Sequence, residues 1–255
     1  MHSTRPRPES VGLPAPIEAC LFDLDGVLTD TAAVHEAAWR EVFDLVLAAW
    51  EESGHPPQRC FTRQDYLDYV DGRPRDDGVA AFLASRGIDL PEGHPFGLPN
   101  TSTVAGISAL KNNLVLERIR RVGVVVYPGS ARYLRAVRDA GLRRAVVSSS
   151  ESTAAVLDAC NLAPTIEVRV DGVLLRERHL PGKPDPAAFL LAADMLNLDA
   201  ARCAVFEDAV AGVEAGHAGG FGAVIGVDRV GGEHAEALAK VGATTVVQDL
   251  AALLA

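Results

Sequence analysis

Hydrophobic positions along this chain follow two different rhythms. From Thr31 onward they recur at helical spacing: Val34, Ala38, Val42, Leu45 and Val46 share one face of a helix expected over 31–50, with Asp30 or Thr31 as its N-cap. The stretch 54–57 breaks that helix, and further helices are expected over 63–70, over 76–86 with Gly87 as the stop, and over 104–121. Nothing between residues 35 and 115 reads as a strand. Outside this block the rhythm changes to short apolar runs bounded by turn residues, the mark of buried strands. Strands are expected at Ala19–Phe22, 144–148, within 167–174, at Cys203–Glu207, 222–227 and 244–247. The Asp171-Gly172 dipeptide reads as a hairpin turn. Helices alternate with these strands over 130–140, from Ser150 or Ser152 to Cys160, from Asp185 and Pro186 as N-cap and N1 to Leu196, and over 210–217 and 233–241.

Repeated alternation of buried strand and helix predicts an α/β fold, a doubly wound, Rossmann-like parallel sheet with helices on both faces. The all-helical block interrupts it after the first strand. The expected organisation is a core of residues 17–33 and 122–255 with an inserted helical cap domain over 34–121. Residues 1–16, rich in proline and polar side chains, are expected to form a flexible tail. Ligands of such sheets lie beyond the carboxyl ends of the strands, so the chemistry is to be sought where each strand stops.

Composition narrows the functional classes. Hydrophobic residues make up 48% and charged residues 23% of the chain, too apolar for disorder, and no apolar run is long enough to cross a bilayer. A net charge of -10 argues against nucleic acid and anionic membranes as partners, because both require a basic surface. It leaves room for a small phosphate ester held by a few local cations. Cys20, Cys60, Cys160 and Cys203 are scattered, with neither a disulfide framework nor a metal-site spacing. With no apolar signal segment near the start, a cytoplasmic monomer is expected.

Candidate chemistry sits at the strand ends. The first strand runs into Asp23 and Asp25, with Gly26 directly after. Two carboxylates so close repel each other, and are tolerable if a divalent cation holds them or if they divide the work of nucleophile and acid/base. Gly26 permits the sharp backbone exit that such a site needs. Residues 146–150 (VVSSS) end a strand in hydroxyls, 182–186 (GKPDP) set Lys183 in a stiff loop, and 204–208 (AVFED) end a strand in Glu207 and Asp208. Singly, each has an ordinary reading as an Asp-rich turn, a helix-capping serine or a solvated lysine. In this order and spacing they resemble the signature motifs of the haloacid dehalogenase superfamily of aspartate-dependent phosphotransferases.

That resemblance implies Mg2+-dependent phosphoryl transfer on a small sugar phosphate through an aspartyl-phosphate. Asp23 is the expected nucleophile and Asp25 the acid/base for the leaving and attacking oxygens. Ser148 and Lys183 are expected on the phosphoryl oxygens, and Asp23, Asp25, Glu207 and Asp208 around the Mg2+. The run DLDGVLTDTAAVHEAAW is in turn similar to the opening of the beta-phosphoglucomutases, which convert beta-glucose 1-phosphate to glucose 6-phosphate through a 1,6-bisphosphate. The likeness makes Thr31 the hinge and His35 and Trp39 substrate-binding residues, His35 also poising Asp25. It assigns Arg75 and Lys111 to the phosphate that is not transferred, and Ser149 and Ser150 to substrate.

The chain departs from the family pattern at Glu151-Ser152, where a lysine or asparagine usually meets the substrate phosphate, and in longer loops at 54–61 and 92–103. A sugar-phosphate phosphatase of the same fold is the alternative reading, and a non-catalytic sugar-phosphate-binding protein a third. A dehalogenase would leave the acidic pair at 207 and 208 unexplained.

Overall fold

The computed structural model describes residues 6–94 and 97–254. Strand β1 (Ala19–Phe22) leads into helical segments only: α1 (Ala32–Glu52), α2 (Arg63–Asp65, continued by a π-type turn at Tyr66–Val70), α3 (Arg75–Ser85) and α4 (Val104–Val122). Strand and helix then alternate through α5 (Pro128–Asp139), β2 (Arg143–Val147), α6 (Thr153–Ala159), β3 (Val168–Val170), α7 (Gly172–Glu177), α8 (Ala187–Met195), β4 (Cys203–Glu207), α9 (Val210–Ala218), β5 (Ala223–Val227), α10 (His234–Lys240) and β6 (Thr245–Val247). Every strand pairing is parallel, and the order across the sheet is β3-β2-β1-β4-β5-β6. The chain therefore winds outward in opposite directions from the β1/β4 junction. That junction is the switch point at which such sheets open a crevice.

The strands lack polar alternation because both faces are covered. Cys20 and Phe22 point into a core with Val146, Phe206, Tyr133 of α5 and Leu157 of α6. Ala19 and Leu21 point the other way, against Val147, Val205, Phe189 of α8 and Val213 of α9. Phe22 stacks on Phe206 with ring centroids 4.6 Å apart. In register, Phe22 lies beside Val146 and Phe206, and the Asp23 N–H extends the ladder to the Phe206 carbonyl at 2.9 Å. The ends of β1, β2 and β4 thus reach one edge together.

A third core belongs to the inserted helices. Phe43 lies 5.0 Å from Trp39 and 4.0 Å from Phe82 between ring centroids, with Val42 and Ile107 around them. Helix α4 serves two cores: Val104 and Ile107 enter that of the cap, Val115 and Ile119 that of the sheet. The entering and leaving segments run side by side, with Asp30 N–H on the Val125 carbonyl, Tyr127 N–H on the Leu28 carbonyl and an antiparallel bridge between Thr29 and Val126. Among the described residues, no strand lies between β1 and β2, and no helix is long and apolar enough to cross a membrane.

Some local expectations are corrected. Asp171-Gly172 makes no hairpin; Asp171 is the N-cap of α7, accepting from the Leu174 N–H at 3.0 Å. A parallel neighbour requires the chain to leave the sheet there, and Asp serves a helix start as well as a turn. Pro186 rather than Asp185 takes the N-cap of α8, while the Asp185 carboxylate accepts from the Ala187 N–H at 2.9 Å. The expected flexible tail over 1–16 is packed from Pro8 onward. Its 3₁₀ turn Pro8–Val11 buries Val11, Leu13 follows it into the sheet core, and the Tyr133 hydroxyl donates to the Val11 carbonyl at 2.9 Å. Residues 1–5 lie outside the described residues.

Candidate active site

Lys183 lies beneath the end of β1, 2% exposed, and collects acceptors from neighbouring strands. Its Nζ is 2.6 Å from Asp23 Oδ1, 3.2 Å from the Val147 carbonyl, and also donates to the Glu207 carboxylate. Burial alone would lower its pKa; the Asp23 and Glu207 carboxylates override burial and raise it, so the ammonium stays charged. Burial pushes the Asp23 carboxyl well up, against the pull of Lys183 and with the repulsion of Glu207 and Asp25. Asp208 is pushed up by burial and then by Asp71, Glu207 and Asp23. The floor of the site thus holds more negative charge than one lysine balances.

Asp25 is positioned separately. The Thr31 hydroxyl donates to its Oδ1, and Thr31 in turn shares a 2.7 Å hydrogen bond with the Thr29 hydroxyl. Ser148 Oγ stands 3.5 Å from the other oxygen and accepts from the Ser150 N–H at 3.1 Å. From the cap, His35 brings Nε2 to 3.5 Å from Asp25 Oδ1, while its Nδ1 is 2.8 Å from Lys111 Nζ. An ammonium can only donate, so it fixes the neutral ring with its proton on Nε2, facing Asp25. Burial and then Lys111 pull His35 down to about 4, keeping it neutral; burial and then Arg75 pull Lys111 down to about 7. The Lys111 ammonium rests over the Trp39 ring, 4.9 Å from its centroid.

These groups line a cavity of about 60 Å3. Every site residue expected from sequence lines it, except Lys183 beneath the floor and Thr31, which reaches it through Asp25. That is well below the roughly 300–1,000 Å3 of an ordinary small-molecule site, so admitting a sugar phosphate calls for movement of the cap. Here the cap is closed on the core: Ser149 Oγ donates to the Gly72 carbonyl at 2.7 Å, Ser152 Oγ donates to Asn112 at 3.0 Å, and Arg75 meets Glu151 at 2.7 Å. Tyr66, Asp71 and Arg73 also line the cavity and were not expected from sequence. Burial pushes the Asp71 carboxyl up to about 7. It sits in a cap loop whose sequence carries no local sign of that burial.

The four residues expected around Mg2+ all line the cavity, but not all of them offer a free carboxylate. Glu207 has both oxygens engaged, one by Lys183 and the other by the Ala209 N–H at 2.9 Å, and the Asp25 side chain is turned to Thr31 and His35. Among the described residues, no group of three or more Asp, Glu, His or Cys side chains forms a metal cluster.

The family of haloacid dehalogenase-like hydrolases matches the chain over residues 17–220. The chain belongs to that family. It is accordingly an enzyme of the haloacid dehalogenase superfamily. It is 48% identical over 250 residues to the beta-phosphoglucomutase of Mycobacterium bovis, a match that spans 97% of this chain and 95% of the relative. It is 37% identical over 236 residues to an uncharacterized glycosyl hydrolase of Mycobacterium tuberculosis, covering 92% of this chain and 17% of that one. Among solved structures, beta-phosphoglucomutase of Clostridium difficile superposes with a TM-score of 0.72 at 25% identity, over 93% of each chain.

For a haloacid dehalogenase-like hydrolase the donor set still fits Mg2+. That ion is held by one or two carboxylates and keeps its other positions for water and phosphate. Asp23 and Asp208 supply the carboxylates, and the excess negative charge around them calls for a cation. Gly26, at φ +93°, has no side chain in the place where the Asp208 carboxylate packs. Gly26→Ala is therefore expected to cost about 1–2 kcal/mol from the left-handed backbone. It also displaces Asp208, so the Mg2+ concentration for half-maximal turnover should rise, as read in an Mg2+ titration of the variant.

Proposed function

We propose that the protein transfers a phosphoryl group on a small sugar phosphate through Asp23, with beta-phosphoglucomutase activity as the reaction. One observation carries the reading: the Asp23 and Asp25 carboxylates share one cavity with Arg75 and Lys111 of the cap. A phosphatase needs cations for the phosphate it cleaves. A mutase needs a second set for the phosphate it keeps, and the cap supplies candidates.

In this reading Asp23 attacks phosphorus in line, its carboxylate held in orientation by Lys183. The Lys183 charge beneath Asp23 offsets the negative charge that gathers there, and the Ser148 hydroxyl can donate to the phosphoryl oxygens. Asp25 gives its proton to the leaving oxygen and takes one from the hydroxyl that attacks in the return step. The Thr31 hydroxyl holds Asp25 where that exchange occurs, and the His35 ring of the cap stands 3.5 Å from it, so cap closure and proton transfer are tied together. Asp23, Asp208 and the Asp25 main-chain carbonyl would hold Mg2+, which would supply positive charge between the nucleophile and the phosphate. The closed cap keeps water out, so that a sugar hydroxyl accepts the phosphoryl group.

One observation favours hydrolysis instead: Glu151 neutralises Arg75, one of the second-phosphate cations. Incubation with beta-glucose 1-phosphate, Mg2+ and a trace of glucose 1,6-bisphosphate separates the readings. Glucose 6-phosphate is the expected product, and release of inorganic phosphate alone would replace the mutase by a phosphatase.

A further inference from the structure

Two arginines from opposite sides of the cleft converge on Glu151, which follows β2. Its Oε2 lies 2.7 Å from Arg75 Nη2 at the start of cap helix α3, and its Oε1 accepts from Arg176 on core helix α7. The Arg75 and Glu151 side chains are 15% and 20% exposed. Both line the 60 Å3 catalytic cavity and also an outer cavity of about 270 Å3, which Arg176, Ser108 and Asn112 line with them. Two donors in this group have no acceptor: Arg75 Nε and Ser108 Oγ are buried without a hydrogen-bond partner.

A buried donor without a partner is costly and is retained where something else supplies the acceptor. Glu151 offers two oxygens and one charge. A phosphate monoester offers three terminal oxygens and nearly two charges, enough for both guanidinium forks and for a donor that the carboxylate leaves over. The position beside the catalytic cavity is where the far end of a bound bisphosphate would emerge.

We propose that Glu151 is an internal stand-in for the second phosphate of the substrate, which displaces it and is held between Arg75 and Arg176 with the Ser108 hydroxyl as a further donor. The proposal rests on the sugar-phosphate reading above and adds Arg176, Ser108 and Glu151 as residues that set specificity. Glu151 competes with any anion at this seat, which lowers the affinity for a bisphosphate and returns to the arginines when it leaves. A bisphosphate that must let go and turn end for end between half-reactions is served by such a replaceable partner.

The test is calorimetric titration of glucose 1,6-bisphosphate into the Asp23→Asn protein, which needs no turnover, with Glu151→Gln or Arg176→Ala added. Glu151→Gln removes the competing charge at constant shape and is expected to tighten binding about tenfold, while Arg176→Ala weakens it about tenfold. Ser108→Ala is expected to weaken it about threefold. If Glu151 only clasps the cap to the core, both charge substitutions break the same bridge and shift the affinity in the same direction, which overturns the proposal. Should Arg176→Ala fail to fold, Arg176→Lys, which keeps the charge and loses the fork, is expected to weaken binding in its place. Binding that none of the substitutions shifts also overturns it and leaves phosphoryl transfer at Asp23 standing. A wild type without Asp23-dependent turnover overturns that earlier reading instead.

Discussion

Asp23→Asn is expected to reduce turnover on beta-glucose 1-phosphate by about 10^4- to 10^6-fold, the range seen when a covalent nucleophile is removed. The amide has nearly the shape of the carboxylate, and its oxygen can still accept from Lys183, so the loss should not come from unfolding. Burial already pushes the Asp23 carboxyl toward its neutral form, and a neutral amide at this position relieves that pressure. The melting temperature should therefore hold or rise while activity vanishes. Steady-state kinetics beside a thermal melt reads both; a variant retaining a tenth of wild-type turnover would remove Asp23 from the role of nucleophile.

Lys183→Met is expected to fail differently, losing turnover and about 3–5 kcal/mol of stability at neutral pH, the usual cost of stranding buried charge partners. Lys183 is the group that lowers the Asp23 pKa against burial and against Glu207. Without it the folded-state pKa of Asp23 rises further above its unfolded value. A carboxyl raised in this way favours the folded state below its unfolded pKa, about 4. That advantage is lost as pH rises through the higher folded value. The variant should accordingly be closest to wild type near pH 4–5 and fall behind it steadily toward pH 8. Urea unfolding in EDTA across that range measures the trend. A stability difference independent of pH would show that Lys183 acts by packing alone.

The sheet was legible because strands covered on both faces are written as uninterrupted apolar runs, Ala19–Phe22 and Cys203–Glu207 above all. The catalytic floor was legible for a related reason. Each functional side chain follows directly on such a run, so chain order alone puts Asp23, Ser148 and Asp208 on one edge. What escaped is non-local. Arg176 meets Glu151 across 25 positions of sequence, and Asp71 owes its burial to groups brought by other segments. Val11 and Leu13 are too few to set up a periodicity, yet they bury completely enough to hold the segment before β1 in place. Asp171-Gly172 was readable in two ways, and only the parallel neighbour decides between them.

Helix α4 has one consequence for how the enzyme opens. Its first half is anchored in one core and its second half in another, through a continuous run of 19 residues. A lid on slack tethers would swing without disturbing what lies beneath it, but this one is a lever whose fulcrum is embedded in the sheet layer. Admitting a sugar must therefore strain or tilt the seats of Val115 and Ile119. Ligand that clamps the lid should slow amide exchange there, far from any atom it touches.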